Sequence, residues 1–418
     1  AIPLIPGLSD EIGSHFLAIL IKIPLLFPIA GMAYELNRWA ANHLDNPDAG
    51  KRLAAVNELL DEIDAESAAL LRDGLEKESD PDVRDAMELG IALGEVTSKD
   101  PAVRLQAIAV LDGNLHPSAF NRLTTLVEQE DDNDVRVAAQ AAINSIDLKR
   151  QMSGIAETLF FGLSLGSVLV LAAIGLAITF GVMGVINMAH GELIMLGAYT
   201  TYLLQVVMPE YPGVALLLSI PVAFLVSGGV GVLIERGVIR FLYGRPLETL
   251  LATFGISLIL QQFVRVVISP QNVPVSNPSW MSGSIEISNV LSLTWNRIYI
   301  IVFSLMVFAA LFMILKKTAL GLQVRAVAQN RAMARAMGVR SERVDALTFG
   351  LGSGIAGIAG VALSQLTNVG PNLGQSYIID SFMVVVFGGV GNLWGTLVAG
   401  MTLGVANKIM EPWAGAVL

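Results

Sequence analysis

The chain has 418 residues, of which 54% are hydrophobic and only 15% charged, and its mean hydropathy is +0.63. This apolar content exceeds that of ordinary soluble domains and predicts a membrane protein. The lack of cysteine excludes disulfides, thiolate zinc sites and cysteine nucleophiles.

The net charge of -10 averages two dissimilar parts of the chain. Residues 1–150 contain 26 acidic and 13 basic residues, whereas residues 151–418 contain 10 acidic and 13 basic residues. The acidic excess therefore belongs to an N-terminal part, where it argues against a nucleic-acid partner.

Residues 1–44 form a hydrophobic N-terminal segment whose role the sequence leaves open. The apolar run 12–34 has the length of a membrane span, but His15, Lys22, Pro24 and Pro28 interrupt it. A basic start and a clear small-residue cleavage site are lacking, so a standard signal peptide is not supported. We expect a membrane-associated helix, either spanning or interfacial.

Residues 45–150 contain a repeated motif in which an acidic turn precedes Val-Arg and an alanine-rich helix. The copies are "DPDVRDA" (80–86), "DPAVRLQA" (100–107), "DNDVRVAA" (132–139) and a degenerate "PDAGKRLAAV" (47–56). Asp caps the first amides of a helix, and Pro suits its first turn. We predict a HEAT-like helical repeat domain built from stacked helix pairs.

An acidic run at 128–134, "EQEDDND", resembles a metal-binding loop only superficially. Its spacing is wrong for a calcium-binding EF-hand, so we interpret it as a solvated helix start and expect no metal site.

Residues 151–418 are predicted to form an all-α, polytopic membrane bundle. Long spans are predicted at 160–183, 214–234, 249–269, 298–315 and 345–369, with shorter apolar stretches at 187–207, 378–391 and 393–410.

Two loops between these spans are basic, and the other loops are nearly free of Lys and Arg. Residues 235–248 carry three arginines, and residues 316–344 carry two lysines and five arginines. The positive-inside rule places both loops in the cytoplasm. Counting the predicted spans back from these loops then places residues 45–150 on the extracytoplasmic side of the membrane.

Two glycine-broken segments follow long spans in the two halves of the domain, "GVMGVINMAHGELIMLGAY" (181–199) and "FGGVGNLWGTLVAG" (387–400). Paired broken helices predict an internal pseudo-repeat with the transport path at its interface. The first break concentrates Asn187, His190 and Glu192 in an apolar setting, so these residues either line a path or bond to neighbouring backbone. Gln365 and Asn368 are further path candidates, with helix packing as the alternative.

The chain resembles the membrane-spanning permeases of branched-chain amino acid type ABC importers. The resemblance lies in "INMAHGELIMLGAY", in residues 321–360 from "GLQVRAVAQN" to "GSGIAGIAG", and in "FGGVGNLWGTLVAG". Residues 234–262, 271–284 and 368–400 look in particular like the urea importer's permease subunit. The resemblance covers roughly residues 155–418, and it implies a further span and a basic tail after the last residue.

The resemblance implies a subunit that performs no chemistry and needs no cofactor. It implies two cytoplasmic ATPase subunits, a second permease subunit, an extracytoplasmic substrate-binding protein and a surrounding lipid membrane. The sequence agrees on one point, because it contains no G-x-x-x-x-G-K-[ST] nucleotide-binding motif.

Residues 329–339, "QNRAMARAMGV", look like the family's coupling helix, which docks on the ATPase. The candidate coupling residues are Asn330, Arg331, Ala334, Arg335 and Gly338, where Gly338 can end the helix as a C-cap. The alternative is an ordinary positive-inside loop.

Three functions are compared: an ABC-importer permease, a passive channel and an intramembrane enzyme using His190 and Glu192. Urea, or a related small amide, is the first cargo expected from the resemblance, and branched-chain amino acids are the alternative. A zwitterionic amino acid calls for paired charges along the path, whereas urea needs only hydrogen-bond donors and acceptors.

Overall fold

The computed structural model describes residues 43–60, 63–288 and 291–415. The chain divides into two compact units, Ala1–Ser153 and Gly154–Leu418. Almost all of the N-terminal hydrophobic segment, 1–44, lies outside the described residues, so the expected membrane-associated helix there stays a prediction.

The first unit is helical throughout its described residues. Its helices are α1 (Ala49–Leu59), α2 (Ala65–Leu75), α3 (Pro81–Glu95), α4 (Pro101–Leu111), α5 (Pro117–Gln129) and the first part of α6 (Asn133–Met183). A shared core of Val, Leu, Ile and Ala side chains lies between them.

The four motif copies begin four of these helices. Asp48, Asp80, Asp100 and Asp132 each accept hydrogen bonds from amides in the first turn of α1, α3, α4 and α6. These carboxylates satisfy amides that have no partner within the helix. The predicted helix starts are therefore confirmed, and the HEAT-like assignment stays a prediction.

Two buried ion pairs recur at the same spacing within this unit. Arg52 pairs with Glu78 at 2.7 Å, and Arg104 pairs with Glu130 at 2.8 Å. The Arg52 guanidinium, by its hydrogen bonds, lowers the pKa of Glu78 to about 2, so Glu78 is ionised at neutral pH. Two of the four motif copies thus form the same kind of ion pair.

The second unit is a bundle of apolar helices. After the remainder of α6 come α7 (His190–Val207), α8 (Pro212–Gly237), α9 (Pro246–Val267), α10 (Trp295–Lys317), α11 (Ala319–Gln329), α12 (Arg331–Ala336), α13 (Ser341–Ser364), α14 (Leu373–Gly388) and α15 (Leu393–Gly415). Among the described residues, five helices are long and apolar enough to cross a membrane, namely α6, α8, α9, α10 and α13. These five correspond to the five predicted long spans, although the spans predicted at 249–269 and 345–369 run past the ends of α9 and α13.

The structure departs from the all-α prediction in one place. Strands β1 (Ser284–Ser288) and β2 (Leu291–Thr294) form an antiparallel hairpin within the long loop before α10, with Ser284 opposite Thr294. Alternating Ile and Ser residues in "SIEIS" suit a half-exposed strand, a pattern too short to stand out among apolar spans.

The two basic loops lie on one face of the second unit. Arg240, from the first loop, forms an ion pair of 3.1 Å with Glu342 at the end of the second. Residues of both loops line a shared cleft of about 640 Å³. We call this surface the basic face. The basic face agrees with the positive-inside prediction, which places both loops on the same side of the membrane.

Helix α7 begins inside the bundle, not at its edge. Helix α6 ends at Met183, and residues 184–187 have no regular structure before a turn leads into α7 at His190. His190 Nε2 lies 2.8 Å from the carbonyl oxygen of Ala172, which is three turns before the end of α6. The predicted broken helix is therefore present, and its broken end points into the bundle.

A close backbone approach joins the start of α7 to the start of α14. A Cβ built on Gly191 would overlap the carbonyl oxygen of Gly374, and a Cβ on Gly374 would overlap that of Gly191. Gly175 of α6 and Gly352 of α13 make the same kind of reciprocal contact. Because small residues let helices pack closely in lipid, these two pairs fix the centre of the bundle.

The glycine-rich segment 387–400, which the sequence pairs with the first break as its counterpart in a pseudo-repeat, lies at a different place in the bundle from the start of α7. It forms the turn between α14 and α15, and Gly391 packs against Gly181 near the basic face. The start of α14, at 373–374, instead contacts the start of α7. The glycine pattern alone could not show which segment contacts the start of α7, because glycines occur both in 387–400 and at the start of α14.

The contact between Gly191 and Gly374 gives a stability prediction. Replacing Gly191 by Ala should lower the apparent melting temperature of the purified protein by several degrees, because the added methyl group meets backbone and not a movable side chain. Gly255→Ala is the matched control, since a Cβ at this helical glycine of α9 meets nothing within 4 Å. Equal melting temperatures for Gly191→Ala and the wild type would contradict the packing described here.

Candidate functional site

Helix α9 carries a buried polar stripe in an otherwise apolar span. Thr249, Thr253, Ser257 and Gln261 follow one another at intervals of four residues, and each is at most 8% exposed. Arg265 continues the series at the last turn of α9. Since four residues make slightly more than one helical turn, these side chains share one face of the helix.

This stripe contacts the break before α7. The hydroxyl of Thr253 accepts a hydrogen bond of 3.2 Å from the Met188 amide. Ser257 Oγ donates to Glu192 Oε1 at 3.0 Å, and Gln261 Nε2 approaches the same oxygen at 3.4 Å. The carboxylate of Glu192 is therefore held by α9.

Helix α14 completes the site on its other side. Gln261 Nε2 also donates to Gln375 Oε1 at 3.3 Å. Arg265 Nη2 donates to Asn372 Oδ1 at 2.7 Å. We call Glu192, Ser257, Gln261, Arg265, Asn372 and Gln375 the polar cluster.

The polar cluster is buried at one end, which we call its floor, and exposed at the other, which we call its mouth. Glu192 and Ser257 are buried, whereas Asn372 and Gln375 are exposed. Arg265 lies at the end of α9 that is farther along the helix from the first basic loop. The mouth therefore opens away from the basic face.

The floor of the cluster has unused hydrogen-bonding capacity. Glu192 Oε2 is buried and has no hydrogen-bond partner among the described residues. The N-terminal ends of α7 and α14 meet beside it at Gly191 and Gly374, and helix N-termini carry partial positive charge. An unpaired buried polar atom costs about 1–3 kcal/mol, so this arrangement is suited to a partner that arrives from outside the chain.

Asn187 and His190 bond to the chain's own backbone. Asn187 Oδ1 accepts from the Ala189 amide at 3.0 Å, which stabilises the turn before α7. His190 bonds to Ala172, as described above, and is fully buried. Glu192 does not orient His190, because Glu192 bonds to Ser257 of α9 and residues two apart on a helix face different directions.

Gln365 and Asn368 do not join the polar cluster. Gln365 donates to Ser364 and lines a separate apolar cavity of about 200 Å³ beside Trp280. Asn368 is exposed in the loop between α13 and α14. The polar residues that the structure adds in their place are Ser257, Gln261, Asn372 and Gln375.

Spacing in the sequence contained the signal for the missed stripe. Thr249, Thr253, Ser257, Gln261 and Arg265 recur every fourth residue through a predicted span, which marks one polar face. The contributions of Asn372 and Gln375 had no such signal, since they depend on where α14 begins in space.

The coupling candidates form a short ordered helix at the basic face. Asn330 caps α12 by accepting from the Met333 amide at 3.0 Å. Arg331 makes a bidentate ion pair with Asp345 of α13, at 2.6 and 2.8 Å, and Arg335 donates to Ser341 at 2.6 Å. The helix is therefore fastened to the long span α13.

Helix α12 is shorter than the sequence predicted but ends as expected. Asn330 separates it from α11, so the helical residues are only Arg331–Ala336. Gly338 has φ +88, a left-handed conformation that favours glycine after a helix end. Ala334 packs inward, while Met333 and Met337 are 60% and 79% exposed. An organised helix with an exposed apolar face is thus present on the basic face.

Among the residues that the structure describes, no group of three or more His, Asp or Glu residues could hold a metal ion.

The chain matches known transport proteins over its second unit. Residues 158–417 match the family model described as the permease component of the branched-chain amino acid transport system. The high-affinity branched-chain amino acid transport system permease protein LivH of Salmonella typhimurium is 30% identical over 266 residues, which are 62% of this chain and 86% of that protein.

Two further relatives show the breadth of the similarity. BraD of Pseudomonas aeruginosa, a permease protein of the same kind of system, is 30% identical over 60% of this chain and 84% of its own length. The ribose import permease protein RbsC of Haemophilus influenzae is 25% identical over 59% of this chain and 74% of its own length. No solved structure matches the chain at a significant level.

These matches decide between the classes of protein that the sequence left open. A permease component transports and does not catalyse, so the interpretation of His190 and Glu192 as an intramembrane catalytic pair is wrong. With five helices able to span a membrane and a family match over more than half of its length, the chain is a multi-pass protein of the cytoplasmic membrane and belongs to the family of branched-chain amino acid transport system permease components.

Proposed function

We propose that this chain is the permease subunit of an ABC importer that carries branched-chain amino acids through a path lined by the polar cluster. The observation that carries this proposal is the buried polar stripe of α9, which faces the broken start of α7 inside an apolar bundle. Buried hydrogen-bonding groups are costly in a membrane and mark substrate pathways. The names of LivH and BraD support branched-chain amino acids as the cargo.

The arrangement of broken helices supports a path at the centre of an inverted pseudo-repeat. Helix α6 ends near the basic face, and α7 then starts from within the bundle. Helix α13 starts at the basic face and runs away from it, and α14 then also starts within the bundle. The two interior starts meet at Gly191 and Gly374, which is the arrangement that broken-helix transporters place around a substrate.

Urea remains the second cargo, and only the sequence resemblance of residues 234–262, 271–284 and 368–400 supports it. The polar cluster contains amide and hydroxyl groups that would suit urea. However, the relatives described above carry branched-chain amino acids or ribose by name, so they favour the amino acid over urea.

We also propose that the basic face binds the ATPase subunits through α12. Its ties to α13 through Arg331 and Arg335 give it a direct mechanical link to a span that packs against α7 and α8. Exposed apolar residues on a charged loop are suited to burial against a partner. The resemblance supports a second permease subunit and an extracytoplasmic binding protein as the remaining partners.

We also propose that residues 45–150 are extracytoplasmic, as the positive-inside rule predicts. Phe161, near the start of the membrane part of α6, contacts Arg297, which follows the long loop that lacks other basic residues. The chain thus enters the membrane domain at the end away from the basic face. This supports the prediction that residues 45–150 are extracytoplasmic.

The proposed path predicts a selective loss of transport. In cells whose copy of this gene carries Ser257→Val together with Gln261→Leu, uptake of radiolabelled leucine should fall at least about tenfold, because two hydrogen bonds of about 1 kcal/mol or more are removed from the path. Gln262→Leu is the matched control on the exposed side of α9 and should leave uptake unchanged.

Two results would contradict the proposal. Normal leucine uptake in the double variant, with normal amounts of protein in the membrane, would show that the path lies elsewhere. If deletion of the gene abolished urea uptake but left leucine uptake intact, the cargo would be urea.

The proposed docking of α12 predicts a loss of coupling. Replacing both Met333 and Met337 by Gln should reduce ligand-stimulated ATP hydrolysis by the purified complex severalfold, since their exposed apolar surface would no longer be buried favourably. Leu322→Gln on α11, 63% exposed, is the control and should have little effect. Unchanged hydrolysis in the double variant, or an equal loss in the control, would refute docking through α12.

A further inference from the structure

The polar cluster holds one carboxylate and one guanidinium that are not paired with each other. Glu192 accepts only from the neutral side chains of Ser257 and Gln261. Arg265 donates to the neutral amide of Asn372. Among the described residues, neither side chain has an ion-pair partner within 4.0 Å. Two opposite charges therefore lie along one path with only neutral partners.

The two charges are separated by about one to two helical turns along α9. Glu192 is held at the level of Ser257 and Gln261. Arg265 lies eight residues after Ser257 and four after Gln261, so the separation along the axis is between about 6 and 12 Å. Gln261 stands between them and contacts both Glu192 and Gln375.

A free α-amino acid has the right size and charge to connect these groups. Its ammonium nitrogen and carboxylate carbon are about 2.5 Å apart, and a charge-assisted hydrogen bond at each end adds about 2.8 Å. The total is about 8 Å, which lies within the range of roughly 6 to 12 Å between the two levels on α9.

We propose that the polar cluster recognises the zwitterionic backbone of the cargo, with Glu192 accepting from the ammonium group and Arg265 binding the carboxylate. This inference rests on the proposed function, because it assigns the chemical groups that the path recognises in an amino acid. It concerns the groups that all α-amino acids share, so it does not explain selection for a branched side chain.

The hydrogen bonds of the cluster fit a site in which the cargo binds a free oxygen of Glu192 and replaces the partner of Arg265. Glu192 Oε2 is buried without a partner, which leaves one carboxylate oxygen for an ammonium group. Arg265 would exchange the amide oxygen of Asn372 for a carboxylate, which is the stronger acceptor. The exposed positions of Asn372 and Gln375 place this exchange at the mouth of the cluster.

Urea would not use the two charges in this way. It is neutral and would form no ion pair with either residue, so a site built for urea has no need of both charges. The pair of charges is the feature that a zwitterionic cargo requires and that a neutral amide does not.

The test uses the complex purified with its ATPase subunits in lipid nanodiscs, without the binding protein. Binding of radiolabelled leucine is measured, and leucine, 3-methylbutylamine, 4-methylpentanoate and urea are used as competitors. The amine lacks the carboxylate and the acid lacks the ammonium group, so each analogue reports on one end of the site.

The expected result is a loss that depends on the ligand. Arg265→Gln should weaken leucine and 4-methylpentanoate at least tenfold while leaving 3-methylbutylamine unchanged. Glu192→Gln should weaken leucine and the amine at least tenfold while leaving the acid unchanged. Gln262→Ala should change none of them, and Arg265→Lys should recover part of the affinity for leucine.

The outcomes separate this inference from the proposed function. Three results would refute the assignment of the two ends while leaving the proposed transport of leucine intact. The variants could weaken binding of all ligands equally, the variants could weaken none of them, or neither analogue could compete with leucine. If the wild-type complex bound urea and not leucine, the proposed cargo would itself be wrong. If Glu192→Gln prevented assembly of the complex, Arg265→Gln would still test recognition of the carboxylate, because Arg265 is half-exposed.

Discussion

The centre of the membrane unit depends on the contact between the backbones of Gly191 and Gly374. Neither position has room for a Cβ, so the first turns of α7 and α14 can approach until their peptide groups touch. A second reciprocal pair, Gly175 and Gly352, brings α6 and α13 together. In a membrane, where lipid is as apolar as a side chain, such close packing supplies much of the attraction between helices. The rest of the bundle is arranged around these contacts.

Bringing two helix starts into the bundle creates polar groups where the surroundings are apolar, and α9 satisfies most of them. Its stripe of Thr, Ser and Gln side chains contacts the break at Met188 and the carboxylate of Glu192. The remaining faces of α9 are mostly exposed and apolar, as expected for a helix against lipid or another subunit. One helix face therefore both stabilises the break and forms the wall of the proposed path. At the basic face, Arg331 and Asp345 connect α12 to α13, so a movement of an ATPase docked there as proposed would reach the same central helices.

Sequence reasoning predicted those features that depend on local pattern. The five long spans, the Asp-capped helix starts, the common face of the two basic loops and the break before His190 follow from hydropathy, capping and charge. The sequence did not indicate that Gly374 contacts Gly191, because the identity of the touching glycines depends on the path of α13 and α14. Gln365 and Asn368 were chosen for polarity alone, and the structure places them outside the polar cluster. The four-residue spacing from Thr249 to Arg265 was readable in the sequence, but its meaning required knowing which face of α9 meets α7.

The central claim is that the cargo passes between α7, α9 and α14, and a cysteine introduced at Gln261 tests it most directly. The chain has no cysteine of its own, so Gln261→Cys provides a single thiol, and Gln262→Cys provides a control on the exposed side of the same helix. In the assembled complex, a water-soluble thiol reagent applied from the outside should modify Gln261→Cys, and leucine should slow that reaction without affecting Gln262→Cys. Modification of Gln261→Cys at the same rate with and without leucine, in a complex that still transports leucine, would contradict the account.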